Sequence, residues 1–218
     1  MKEPEKVLPG LARAVLELDS SALRQNLAAA LQAGVPGPDL RKSLFEGLEQ
    51  KRLKMMTEEV PLPRFLIALD LVHEGLEMIS AAAKGETNPG VPLVIGVVHG
   101  DPHDLGKNIV AKVYAASGYD VRDLGLGVSL DSFVKALADH RAQVLALSAM
   151  LSTTMSQMPE IIRQVKQRFP GVVVMVGGAP LDANLARTFG ADGYADSAVT
   201  LLEETEAAIE RTRAGEKW

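Results

Sequence analysis

The hydrophobic positions along this chain change their period near its middle. Up to about residue 84 they recur at spacings of three and four, the signature of helices that bury one face. Leu8, Leu11, Val15 and Leu18 form a first stripe. Leu23, Leu27 and Leu31 form a second, opened by a cap at Asp19, Ser20 or Ser21 and closed by Gly34. Residues 35–38, Val-Pro-Gly-Pro, read as a turn. Asp39 reads as the cap of a third helix carrying Leu40, Leu44 and Leu48 towards Met55. Pro61 and Pro63 interrupt the pattern, after which Phe65, Leu69, Val72, Leu76 and Ile79 mark a fourth helix that stops by Gly85. Four such helices with short connections predict a small bundle. The polar stretch Lys84–Pro92, with Gly and Pro twice each, predicts a linker and hence domains at 1–88 and 89–218.

From Val91 onward the pattern becomes short apolar runs alternating with amphipathic segments. Strands are predicted at Leu93–Val98, Val121–Leu124, Val144–Leu147 running into Ser148, Val172–Val176 and, weakly, Gly193–Ala195. Helices are predicted over Leu105–Ser117, from Ser129 through Ala138, over Pro159–Arg168, around Leu185, and from Ala198 to about Arg213. Strands alternating with helices imply an α/β domain, a flavodoxin-like (Rossmann-like) doubly wound sheet of five parallel strands. Ligands of such sheets lie beyond the carboxyl ends of the strands. Three loops rich in small or hydroxyl residues point to that edge: Gly100–Gly106, Ser148–Thr154 and Gly177–Pro180.

Composition narrows the classes. The chain is 47% hydrophobic and 23% charged, with a net charge of −5, so neither nucleic acid nor anionic lipid is an expected partner. It has no cysteine, which excludes disulfides, thiolate metal sites and cysteine nucleophiles. No apolar run approaches the roughly 18 residues a membrane span needs, and charges interrupt the N-terminus too early for a signal peptide. A cytoplasmic protein is expected.

The candidate chemistry gathers after the first strand, at Asp101-x-His103-x-x-Gly106. An imidazole with a carboxylate two residues away has the makings of a metal ligand and its hydrogen-bonding partner. By pattern alone this is a weak signal, since a lone loop histidine is more often surface decoration. Its place between a buried strand and a helix N-terminus raises its interest. Gly106 leaves room for a bulky group, and Lys107 or Asn108 can add polar contacts. The hydroxyls of residues 148–154 have helix capping as their default role, yet Ser148 stands where it can extend an Asp–His hydrogen-bond chain. Gly177-Gly178-Ala179 is either a tight turn or space for a long substituent. His73 and His140 read as solvated, and His99 as a turn residue or a modifier of its neighbours. No zinc or di-iron ligand set, P-loop or GxGxxG is present.

Taken together and in this order, GDPHDLGKNIV, SAMLSTTM and VGGAPL resemble the cobalamin-binding domains of corrinoid proteins. The similarity is to the small methyl carriers of methyltransferase systems and to the corresponding module of methionine synthase, and it spans essentially the whole chain. The resemblance implies a corrinoid cofactor, cycling between methylcob(III)alamin and cob(I)alamin, with His103 replacing the cofactor's own base as lower cobalt ligand. Asp101 would bond the far side of that imidazole, and Ser148 would continue the relay. Asp104, Leu105, Gly106, Asn108, Ser148, Met150, Leu151, Ser152, Thr153, Gly177, Gly178 and Ala179 would line the cofactor and the groove for its displaced tail. The helical domain would act as a cap, with Phe65, Leu69 and Val72 as contacts and a hinge at Gly85–Gly90. Implied partners are donor-side and acceptor-side methyltransferases and a reductive activation protein. An adenosylcobalamin mutase subunit, a cobalamin-dependent regulator, and a flavodoxin-like domain whose His103 binds nothing are the competing readings.

Overall fold

The computed structural model describes residues 4–57, 61–82, 90–195, 200–216 and 218. They fall into two compact units, Met1–Asn88 and Pro89–Trp218. Most of the expected linker and hinge, and the predicted start of the last helix at Ala198, lie outside the described residues.

The first unit is four helices: α1 (Pro4–Glu17), α2 (Ser20–Gln32), α3 (Gly37–Thr57) and α4 (Leu62–Ala82). Their buried faces carry most of the predicted stripes, with Leu11, Val15, Leu23, Leu27, Leu40, Leu44, Leu76 and Ile79 nearly inaccessible, while Leu8, Leu18 and Leu31 are half-buried and Leu18 lies just past α1. Asp19 caps α2 by accepting from the Ala22 amide at 2.8 Å. Two boundaries differ from the pattern. Asp39 lies inside the first turn of α3, where its charge suits the helix dipole. Pro63 lies inside the first turn of α4, where a missing amide hydrogen costs nothing. Val72 is buried, whereas Phe65 and Leu69 are half-buried.

The second unit contains β1 (Pro92–Val97), α5 (Leu105–Ala116), β2 (Asp120–Asp123), α6 (Leu130–His140), β3 (Val144–Ser148), α7 (Ser152–Met155), α8 (Met158–Arg168), β4 (Val173–Gly177), α9 (Ala183–Phe189), β5 (Gly193–Tyr194) and α10 (Leu201–Ala214). The five strands are parallel and ordered β2-β1-β3-β4-β5. The one element absent from the sequence pattern is α7. The central strands are buried on both faces, which is why they read as unbroken Val, Ile and Leu runs. One side chain layer, including Val94, Leu145, Val174, Phe133, Ile162 and Val165, packs strands against helices. Burying each such side chain contributes about 1.5–3 kcal/mol.

This order reverses direction between β1 and β3. The chain leaves β1 towards β2 on one flank and returns to β3 on the other, so the loops at their carboxyl ends diverge and leave a crevice. The register puts Val97 beside Ser148 and Ser148 beside Gly177, a single row at the carboxyl edge.

Candidate functional site

The crevice is organised by Asp101. Its side chain is 0% exposed, while that of His103 is 48% exposed. One carboxylate oxygen, Oδ1, accepts from the His103 amide at 3.1 Å and from His103 Nδ1 at 2.9 Å. The other, Oδ2, accepts from the amides of Met150 at 2.7 Å and Leu151 at 3.0 Å, and from the Thr154 hydroxyl at 2.6 Å. Burial pushes the Asp101 carboxyl up, and it is the largest single influence. The bonds from Thr154, the Met150 amide and His103 together outweigh it and hold the group well below the usual carboxylate range. Asp101 is therefore a fixed anion that ties the β1 loop to the β3 loop.

A carboxylate on Nδ1 fixes the proton there and leaves Nε2 with its lone pair. No hydrogen bond from a described residue occupies Nε2. The ring is half-exposed, so Nε2 is an open nitrogen donor whose orientation the carboxylate sets. Among the described residues, no group of three His, Cys, Asp or Glu could hold a metal ion. A metal bound here by Nε2 must bring its remaining ligands with it.

The hydroxyl that reaches Asp101 is Thr154, not Ser148. Ser148 ends β3 in the row between Val97 and Gly177, while α7 turns the chain so that Thr154 folds back under the carboxylate. Thr154 is buried, whereas Ser152 and Thr153 are exposed on the same short helix. None of the three caps a helix: α7 has Leu151 at its cap position with no side-chain bond, and Asp101 serves the adjacent amides instead. Thr154 was the residue missed by the sequence reading, and only the unread α7 distinguishes it from its neighbours.

The other expected residues stand on the segments that follow β1 and β3 and at the end of β4. Leu105, Met150 and Leu151 are exposed large apolar side chains. Asp104 precedes α5 without a capping bond from its side chain. Asn108, half-buried, accepts from the buried Lys107 at 2.6 Å. A side chain at Gly106 or Gly177 would meet nothing within 4 Å, so both positions open onto free space. Gly178 is the opposite case: its φ is +137°, and a Cβ there would fall 1.7 Å from the Ala149 carbonyl oxygen. Only glycine lets the end of β4 approach the β3 loop this closely. Ala179 follows, exposed. His140 is not the solvated residue expected: only 19% exposed, its Nε2–H donates to the Asp120 carbonyl at 2.8 Å.

A crevice at the switch point, with one open imidazole nitrogen, glycine-made space and an apolar rim, suits a large group that carries its own metal. These residues fit a corrinoid. Comparison with known proteins gives the particular family. Residues 91–203 match the B12-binding domain family. Trimethylamine corrinoid protein 1 of Methanosarcina mazei is 32% identical over 215 residues, covering 96% of this chain and 100% of the relative. The structure of the Methanosarcina barkeri monomethylamine corrinoid protein superposes with a TM-score of 0.70 at 24% identity, covering 95% and 99%. The methanol:cobalamin methyltransferase complex of Methanosarcina barkeri superposes with a TM-score of 0.60 at 25% identity, covering 98% of this chain and 81% of that one. The chain belongs to the B12-binding corrinoid protein family, and its cofactor is a corrinoid. Among the described residues no helix is long and apolar enough to cross a membrane.

Proposed function

We propose that this protein carries a methyl group on corrinoid cobalt between two methyltransferases, with His103 Nε2 as the lower cobalt ligand. The observation that carries the ligand assignment is the buried, five-fold hydrogen-bonded Asp101 carboxylate set against His103 Nδ1, with Nε2 accepting no hydrogen bond from a described residue. Bound cobalt supplies the chemistry, accepting and releasing a methyl group. The chain supplies everything else. Asp101 orients the imidazole, and Thr154 and two backbone amides of the β3 loop hold Asp101.

Gly106, Ser148 and Gly177 would border the cofactor's displaced tail, with Gly178 and Ala179 beside it; the space at Gly106 and Gly177 supports this. Leu105, Met150, Leu151, Ser152 and Thr153 form the rim, with Asp104 and Asn108 as polar contacts. The donor and acceptor methyltransferases are the partners, with a reductive activation protein as a third, all in the cytoplasm. The relatives' names offer a methylated amine or methanol as donor.

Reconstitution tests the reading. The protein loaded with cobalamin should give an absorption spectrum of the base-off, histidine-on form, and His103→Ala should bind the cofactor but lose the histidine-on feature. An identical spectrum from the variant would remove His103 from the site. Methyl transfer from trimethylamine or methanol with the matching partner enzyme then identifies the donor, and activity with adenosylcobalamin alone would favour a mutase.

A further inference from the structure

We propose that the turn between β2 and α6, Gly125-Leu126-Gly127, is a further wall of the corrinoid site, with Leu126 packing against the macrocycle on the flank opposite Met150 and Leu151. The proposal rests on the corrinoid reading above. Four large hydrophobic side chains of the α/β unit stand exposed among the described residues, and they are Leu105, Leu126, Met150 and Leu151. Three follow β1 or β3. Leu126 alone follows β2, in a loop with no ionisable or hydroxyl group at its tip to attract notice.

An exposed leucine by itself means little. What distinguishes Leu126 is how firmly the backbone around it is held. The Val97 amide donates to the Gly125 carbonyl at 2.9 Å, and the Val128 amide donates to the Val97 carbonyl at 2.9 Å. Gly125 and Gly127 have φ of +74° and +65°, conformations that cost glycine nothing, so the chain reverses around Leu126 without relaxing. A side chain that is 48% exposed is thus presented by a fixed turn.

The turn is also tied to residues on both sides of His103. Before it, His99 Nδ1–H donates to the Gly127 carbonyl at 3.3 Å. After it, Lys107 in the first turn of α5 donates to Asp123 Oδ2, and Asp123 Oδ1 accepts from the Gly125 amide at 2.8 Å. The Lys107 side chain is 1% exposed. A buried ammonium near the positive end of a helix is unfavourable both for its lost hydration and for the helix dipole. The pair with Asp123 offsets that cost, and what it achieves is to lock the β2 end to the helix that follows the ligand loop.

The strand order supplies the reason. β1 lies between β2 and β3, and parallel neighbours are about 4.8 Å apart. A corrin ring held by His103, in the loop after β1, would be wider than one such interval and would reach both flanks. The β3 flank offers Met150 and Leu151, and the β2 flank offers Leu126.

The test uses the full chain and aquacobalamin as probe, with binding followed by absorbance titration. Leu126→Ala should weaken binding roughly tenfold while keeping the histidine-on spectrum at saturation, the scale expected for one lost apolar contact. Leu126→Asp should weaken it further, and both apoproteins should be as stable as wild type. Amide exchange over residues 124–128 should slow on cobalamin binding in the wild type. Asp123→Ala, with Leu126 intact, should speed exchange of the turn in the apoprotein and weaken binding. Unchanged affinity in both Leu126 variants, or exchange unaffected by cobalamin, would overturn the proposal. So would normal cobalamin affinity combined with slowed methyl transfer from a partner enzyme, which would make the turn a protein-docking surface. A wild-type protein that binds no corrinoid refutes the functional reading, and this proposal with it. Binding that ignores Leu126 refutes this proposal alone.

Discussion

The loop after β1 contributes ionisable side chains, Asp101 and His103, whereas the loop after β3 contributes two backbone amides and one hydroxyl, those of Met150, Leu151 and Thr154. The two meet at a single carboxylate. In the β1 loop residue identity makes the contact, because the pair is one carboxylate and one imidazole. In the β3 loop local geometry carries it, because several hydroxyls have the right chemistry and one has the right place. A site of this kind is only half defined by its most reactive residues. The less reactive half decides whether the carboxylate stays buried and ionised.

Removing the shared carboxylate should have the largest effect. Asp101→Ala takes the acceptor from three amides, those of His103, Met150 and Leu151, and separates the loops, and should destabilise the apoprotein by about 3 kcal/mol in urea denaturation. A loss below about 1 kcal/mol would mean that the loops hold together without it. The two hydroxyls should then divide sharply. Thr154→Val should cost about 1.5 kcal/mol, the worth of one bond to a charged acceptor. Ser148→Ala should stay within about 0.5 kcal/mol, as for positions without a special contact. Equal losses would place both hydroxyls on the carboxylate. Because Thr154 acts through Asp101, adding Thr154→Val to Asp101→Ala should cost little more, and simple additivity would break that link.

The same contrast explains what the sequence made readable. Apolar periodicity located the central strands within a residue and the four bundle helices within about a turn, because burial on one face or two leaves a repeating imprint. The pairing of Asp101 with His103 was readable because few residue types can do that work. Thr154 was not, since α7 spans only Ser152–Met155, too short to show a period. Ser148 stood at the strand end and so drew the assignment that the turn of α7 gives to Thr154. Leu126 was unreadable for a different reason: an apolar residue between two glycines carries no mark of the hydrogen bonds that fix it. Asp39 and Pro63 misled by only a turn, since both residues are tolerated just inside a helix as well as just before it.

The most direct measurement is electron paramagnetic resonance of the protein loaded with cob(II)alamin, prepared once with ordinary histidine and once with histidine carrying the heavier nitrogen isotope in its ring. The unpaired electron of cobalt(II) lies along the axial direction and couples to the nucleus of the axial nitrogen. With His103 Nε2 as ligand, the superhyperfine pattern should change on labelling and vanish in His103→Ala. A pattern indifferent to labelling, and persisting in His103→Ala, would show that the cofactor keeps its own base and would contradict the account.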